Sequence, residues 1–309
     1  MADRTLSHSD IRVQFCAAIR QHLPGLSPAE IVLDDRIHRF TPNGDRPGSK
    51  AAWYVAYTDG RPAGAFGTWK GESHTWVADG DIKSLSLEER RALTEKIERQ
   101  KAAHAIEVKA KQDRAATKAS AIWNGATPAP ADHPYLTRKR VPPNGVGLGT
   151  WMKWDSSTRS ERVVSDHALL IPLQNVAGEI RNIQAIMPSK DNWLERDKDF
   201  LSGGQKSGLF YPIGTPIERS SGEILLISEG FATAATVHLA TGYYTIMAID
   251  AGNLIYVARA MRKMHPSANI VICADDDCHL PDNPGITKAY AAAYAIGGKV
   301  AEPPRRIKE

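Results

Sequence analysis

GEILLISEGFATAATVHLATG, residues 222–242, opens the stretch that decides the fold, and NIVICADDDCHLPDNPGITKAYAAAYAIGGKV, residues 269–300, closes it. Residues 224–228 are an apolar run of strand length that stops at Glu229-Gly230, and the small residues 231–240 then read as a helix. The pattern repeats with a strand over 245–249, a turn at Asp250-Ala251-Gly252-Asn253, and a helix over 254–264. A third strand, 269–274, ends in Asp275-Asp276-Asp277; a helix over 286–295 and a short strand at 299–301 complete the series. Strand and helix alternating through short turns predict a parallel sheet built from right-handed crossovers.

In open parallel sheets the functional groups collect at the carboxyl ends of strands. Glu229 and the pair Asp275 and Asp277 hold that position on two different strands. On neighbouring strands they converge, and their mutual repulsion calls for cations. A set of oxygen ligands points to Mg²⁺ or Mn²⁺. Alternation turns Asp275 and Asp277 to one side and Asp276 away. Acidic residues at a strand end are often only turn formers, but their coincidence on two strands of one α/β unit argues for a site.

Glu-Gly after the first strand, a glycine-containing turn after the second and Asp-x-Asp after the third resemble the TOPRIM domain shared by bacterial DnaG-type primases, topoisomerases and some nucleases. The resemblance covers about residues 217–303. It implies that Glu229 acts in acid/base chemistry or in metal binding, and that Asp275 and Asp277 are the metal-binding pair. All three are then the catalytic residues. The middle residue of that motif is often not acidic in the family, whereas here it is Asp276.

At 309 residues the chain has room for two or three domains. A hydrophobic content of 42% and a charged content of 24% are those of a globular protein. The net charge of +4 permits nucleic-acid binding without requiring it. Three cysteines, Cys16, Cys273 and Cys278, lack the spacing of a disulfide framework or a zinc ribbon. Cys278-His279 offers only two ligands, so no zinc is expected. The cytoplasm is the simplest compartment, since no signal pattern and no apolar run of spanning length occurs, and no membrane partner is expected.

Upstream, residues 1–82 read as a small β-rich module: a helix near 9–23, then strand-like pieces at 36–40, 52–57, 62–67 and 74–76. Arg46 and Lys50 in the loop NGDRPGSK, interleaved with Trp53 and Trp69, are candidates for single-stranded DNA, because aromatics stack on bases and cations hold phosphates. The same aromatics serve equally as the core of a small domain. The segment IHRF…GDRPGSKAAWYV…GRPAGAFGTWKGESHTW is similar to the N-terminal module of primases from phages, plasmids and integrative elements. It stands where the DnaG family carries a zinc-binding domain, without that domain's cysteines.

Residues 83–125 are dense in Ala, Glu, Lys and Arg and predict one long helix, a solvated connector opening on a Ser86/Glu89 capping box. Residues 126–215 are read as the N-terminal lobe of the core, with a hairpin over 168–173 and 180–186. Arg138 and Lys139 precede a Pro-Pro-Asn-Gly turn. RDKDFLSGGQKSGLFYPIG resembles the primase segment whose basic residues face the nucleoside triphosphate or template, which implies Lys198 and Lys206, with Arg181 a weaker candidate. Glycines around Lys206 let backbone N–H groups approach phosphate oxygens. No GxxxxGK[ST] motor motif occurs.

The expectation is therefore an α/β chain whose carboxy-terminal TOPRIM domain, residues 216–309, has a Rossmann-like parallel sheet. It is preceded by a mixed α+β lobe, a long helix and the β-rich module. The resemblance implies a DNA primase, a DNA-directed nucleotidyltransferase making short primers on single-stranded DNA from nucleoside triphosphates in replication of a mobile element. Its expected protein partner is a replicative helicase or a carboxy-terminal helicase region. The alternatives are a metal-dependent TOPRIM nuclease and a non-catalytic module that binds single-stranded DNA and recruits a helicase.

Overall fold

The computed structural model describes residues 6–45, 47–59, 61–69, 71, 73–79, 85–218 and 222–304. Chain contacts divide it into two units, Met1–Lys109 and Ala110–Glu309.

In the first unit, helix α1 (His8–His22) starts at a capping box: Ser7 Oγ accepts from the Asp10 backbone N–H, and the Asp10 carboxylate accepts from that of Ser7. Its apolar residues Ile11, Phe15 and Ile19 recur at helical spacing and are buried. They cover one face of an antiparallel sheet of β1 (His38–Phe40), β2 (Ala52–Tyr57), β3 (Ala63–Thr68) and β4 (Ser73–Val77), paired in chain order. Gly64 lets the helix come close, since a Cβ there would stand 2.8 Å from the Phe15 ring. The opposite face, with Trp53, Val55 and Tyr57, packs on Leu93 and Ile97 of α2 (Leu87–Asn124).

The Ser86/Glu89 box at the start of α2 is formed: Glu89 Oε2 accepts from Ser86 N–H at 2.7 Å and Ser86 Oγ from Glu89 N–H at 3.2 Å. The solvated connector needs correction. Residues 105–110 are exposed, but Leu93 and Ile97 belong to the core of the first unit, and Ala115 and Ala119 to that of the second. Few and widely spaced apolar residues concealed those two contacts from a reading of amphipathicity.

The second unit holds two sheets. β5 (Thr127–Pro128), β6 (Gly147–Asp155), β7 (Ser160–Gln174), β8 (Ile180–Ile186) and β9 (Lys198–Phe200) pair antiparallel in chain order, with α3 (Pro134–Lys139) between β5 and β6. Next come β10 (Tyr211–Ile213), β11 (Ile224–Ser228), α4 (Phe231–Thr241), β12 (Tyr244–Met247), α5 (Leu254–Met264), β13 (Asn269–Cys273), α6 (Pro284–Ile296) and β14 (Lys299–Ala301). Their strands lie in the order β10-β12-β11-β13-β14.

All pairs in that sheet are parallel except β10–β12, which is antiparallel. β10 extends the sheet at this edge, where three residues including Pro212 are too few for periodicity to announce a strand. Phe231 and Ala235 of α4 pack with Leu169 and Ile171 of the antiparallel sheet in one core. α5 and α6 pack on Leu225, Ile227 and Ile270 in another. Among the described residues no helix is long and apolar enough to cross a membrane.

Candidate active site

β11 and β13 are neighbours at the centre of their sheet, with Ser228 opposite Cys273. Both strands therefore deliver acidic residues to the same edge. Glu229 is half-buried; the Ala251 backbone N–H hydrogen-bonds its carboxylate, while its buried Oε2 has no partner. Burial, reinforced by Asp275 and Asp277, pushes its pKa up to about 7. Burial also raises Asp275, and Asp277 adds to it, against a hydrogen bond from Thr233 Oγ1 at 2.9 Å and the charges of Lys198 and Lys139.

The loop after β13 separates its three aspartates. Asp276 is exposed and accepts from Asn283 Nδ2 at 2.7 Å, while the Asn283 Oδ1 accepts from the Asp277 backbone N–H at 2.9 Å. Asp277 Oδ2 in turn accepts from Gly285 N–H at 3.0 Å, in the first turn of α6. Only glycine fits at 285: a Cβ would stand 2.3 Å from the Asp275 carbonyl oxygen and 2.9 Å from Asp277 Oδ2. Among the described residues, no three His, Cys, Asp or Glu side chains close up into a ready-made metal cage. Glu229 is near enough to Asp275 and Asp277, and these two to each other, for their charges to interact.

Lysines from the antiparallel sheet and its helix face this edge. Lys198 on β9 is exposed, whereas its neighbour Asp199 is buried and accepts from Trp151 Nε1 at 3.0 Å, Lys153 Nζ at 2.7 Å and Arg196 at 2.7 Å. That network fixes the short strand and thereby the outward direction of Lys198. Lys139 ends α3 and, with Lys198, bears on Asp275. Lys206 is exposed on its glycine-rich loop, yet its ammonium rests 3.8 Å from the Phe200 ring centre. Crowding by protein lowers its pKa, against the attraction of Asp250 and Asp199.

Other candidates stand elsewhere. Arg181 is committed to an ion pair with Asp113, a correction that a separation of 68 positions in the chain hid. Arg138 donates to the Pro188 carbonyl at 2.9 Å and lies 5.5 Å from the Tyr135 ring, so it braces its own lobe. In the first unit Trp53 is 3% exposed and cannot stack on a base, because α2 covers its face of the sheet. Trp69 is 44% exposed and stacks on His104 with centroids 5.5 Å apart, the Arg39 guanidinium 5.5 Å from its ring. Lys50 is exposed with φ 46°, and Arg46 lies outside the described residues. Sequence reasoning missed Thr233, Asn182, Asn253 and the Asp199 network; only Thr233, one helical turn after Gly230, carried a local signal.

No protein-family model matches the chain. It is 31% identical over 277 residues to DNA primase TraC of Escherichia coli, an alignment spanning 88% of this chain and 18% of that protein. A second protein of that name and organism is 30% identical over 277 residues, 88% of this chain and 24% of its own length. The chain thus spans about a fifth to a quarter of the length of these curated relatives. A DNA primase domain from Pseudomonas aeruginosa aligns in structure with 13% identity and a TM-score of 0.43, over 60% of this chain and 69% of that one. Over most of its length, the chain is similar to one segment of proteins named DNA primase TraC.

Proposed function

We propose that the chain is the primer-synthesising part of a DNA primase, joining nucleoside triphosphates on single-stranded DNA by metal-dependent nucleotidyl transfer. One observation carries the reading: within a single unit, the half-buried carboxylates of Glu229 and Asp275 stand at two adjacent strand ends, one Glu229 oxygen without a partner, and Lys139 and Lys198 are close enough for their charges to act on Asp275. Acidic groups of that kind suit the cations of phosphoryl transfer, and the lysines suit the triphosphate. The similarity to proteins named DNA primase supports it. In this reading residues 216–309 are a TOPRIM domain, 126–215 the lobe that brings the lysines, 83–125 the connector and 1–82 a DNA-positioning module. The setting we assign is the replication of a mobile element in the cytoplasm, beside a replicative helicase.

The donor set fits Mg²⁺ or Mn²⁺. It consists of carboxylate oxygens, with the unpartnered Oε2 of Glu229 among them. Mg²⁺ is usually held by one or two carboxylates and completed by water and substrate phosphates, so an open set is the expected form. Asp275 and Asp277, with Glu229, would hold the ions, which when bound polarise phosphoryl oxygens and favour ionisation of the attacking 3′ hydroxyl. The chain's own groups do the rest. Thr233 orients Asp275, Lys198 and Lys206 bind and orient the triphosphate, and Glu229, with its pKa near 7, is able to hold or release a proton at working pH.

The test is primer synthesis on mixed-sequence single-stranded DNA with labelled nucleoside triphosphates and Mg²⁺ or Mn²⁺, beside the variant Asp275→Asn/Asp277→Asn. Metal-dependent labelled oligomers from the wild type alone, with DNA binding kept by the variant, are expected. Shortened template without new product would replace the reading by nuclease, and binding without either activity by a recruiting module.

A further inference from the structure

Two buried asparagines grip the loop that carries Lys206, one on each side of the lysine. Asn253 is 4% exposed, at the end of a short 3₁₀ turn, Ala251–Asn253, that leads into α5. Its Nδ2 donates to the carbonyls of Leu209 and Ala248, each at 2.8 Å, and its Oδ1 accepts from Gly208 N–H at 2.8 Å. The reverse orientation of the amide would set its oxygen against two carbonyls and its NH₂ against an N–H, so the network fixes which way it points. Asn182 on β8 is fully buried; its Nδ2 donates to the Gln205 carbonyl at 2.6 Å. A Cβ on Gly204 would stand 2.5 Å from that same nitrogen, which shows how closely the loop is drawn down.

Asn253 also holds the turn beside Glu229. The Ala248 carbonyl that it binds accepts from Asp250 N–H at 3.0 Å, closing a three-residue turn around Ile249. Ile249 has φ 80°, a region that β-branched residues rarely occupy and that persists only where surrounding contacts impose it. The same turn leads to Ala251, whose N–H binds the Glu229 carboxylate. One amide thus joins the lysine loop to the turn that touches the acidic edge.

We infer that Asn253 and Asn182 are positioning residues, a two-amide clamp that fixes the Lys206 loop against the turn carrying Asp250 so that the lysine meets the triphosphate without first being ordered. This rests on the reading of Lys206 as a triphosphate-binding residue. Neither asparagine touches substrate; each acts through the lysine, whose loop would otherwise need ordering at every binding event.

The experiment compares Lys206→Ala, Asn253→Ala and the double variant, reading the dissociation constant of Mg²⁺·GTP, the KM and kcat for GTP in primer synthesis, and single-stranded DNA affinity. Asn253→Ala should weaken GTP binding and raise KM about tenfold with DNA affinity unchanged. In the Lys206→Ala background the same change should add less than about twofold, because its effect runs through the lysine. Full multiplication of the two effects would overturn the clamp while leaving Lys206 its role. A Lys206→Ala protein that binds GTP as the wild type does would overturn the role of Lys206, and the clamp with it. Should thermal melting show that Asn253→Ala does not fold, Asn182→Ala puts the same cycle on the other flank of the loop, with the same outcomes decisive.

Discussion

Trp53 in the first unit and Glu229 in the second are both removed from water in large part, and they differ in what surrounds them. Trp53 packs among Val55, Tyr57, Leu93 and Ile97, with the Lys101 ammonium 5.4 Å from its ring. Nearby, Lys96 pairs with Asp59 and lies 5.6 Å from the Tyr57 ring. Glu229 instead has a carboxylate oxygen with no partner and two aspartates that raise its pKa. Aromatic and cationic residues that answer one another stabilise a fold. Carboxylates left facing one another mark a place where the fold accepts strain, and such places are where chemistry is expected.

Changes in each unit sharpen that contrast. The largest effect belongs to the satisfied core: Trp53→Ala should destabilise the first unit by about 3–5 kcal/mol in denaturant unfolding. Its single-stranded DNA affinity, measured well below the transition, should stay as it was. Next comes Lys206→Ala, expected to lower kcat/KM for nucleoside triphosphate by about 10–100-fold, roughly 1.4–2.8 kcal/mol of transition-state stabilisation, with the unfolding of the protein little changed. A large fall in melting temperature instead would make Lys206 a structural residue.

Glu229→Gln tests the strain itself. A carboxyl whose folded pKa rises from the ordinary 4.5 to about 7 binds its proton more tightly in the folded state. Stability is therefore lost as pH rises through that window, the reverse of a salt-bridged aspartate. Glu229→Gln should accordingly stabilise the metal-free second unit by about 2 kcal/mol near pH 8 and by almost nothing near pH 4.5. Equal stabilisation at both would remove burial and like charge as the cause. The smallest effect is that of Trp69→Ala, about fivefold weaker binding of single-stranded DNA without loss of stability. No change there would leave the first unit's aromatics purely structural.

Much of the second unit was legible in advance because its signals are local. Residues 224–228 and 269–273 are apolar runs bounded by turns, and acidic residues stand within two positions of each, so the strands and the candidate site are read from the same stretches. Asp276 lies in the loop beyond β13, more exposed than Asp275 and Asp277, and Asn283 holds it there. What escaped depends on distant partners. Arg181 looked available until Asp113 met it. Trp53 and Trp69 looked alike and lie with ring centres 6.0 Å apart, but residues of α2 bury Trp53, whereas Trp69, just past the end of β3, stays 44% exposed. Asn253 sits in an ordinary-looking turn and gains its meaning from Gly208 and Leu209, 45 and 44 residues away.

The most direct measurement is a Mn²⁺ titration followed by the electron paramagnetic resonance signal of the free ion, at about pH 6 and about pH 8. It would be run on the wild type, Asp275→Asn/Asp277→Asn and Trp69→Ala. Wild type and Trp69→Ala should bind the ion alike and more tightly at the higher pH, as the Glu229 carboxyl gives up its proton, while the double variant should lose that binding. Unchanged Mn²⁺ binding by Asp275→Asn/Asp277→Asn would contradict the assignment of these strand ends as the metal-dependent centre.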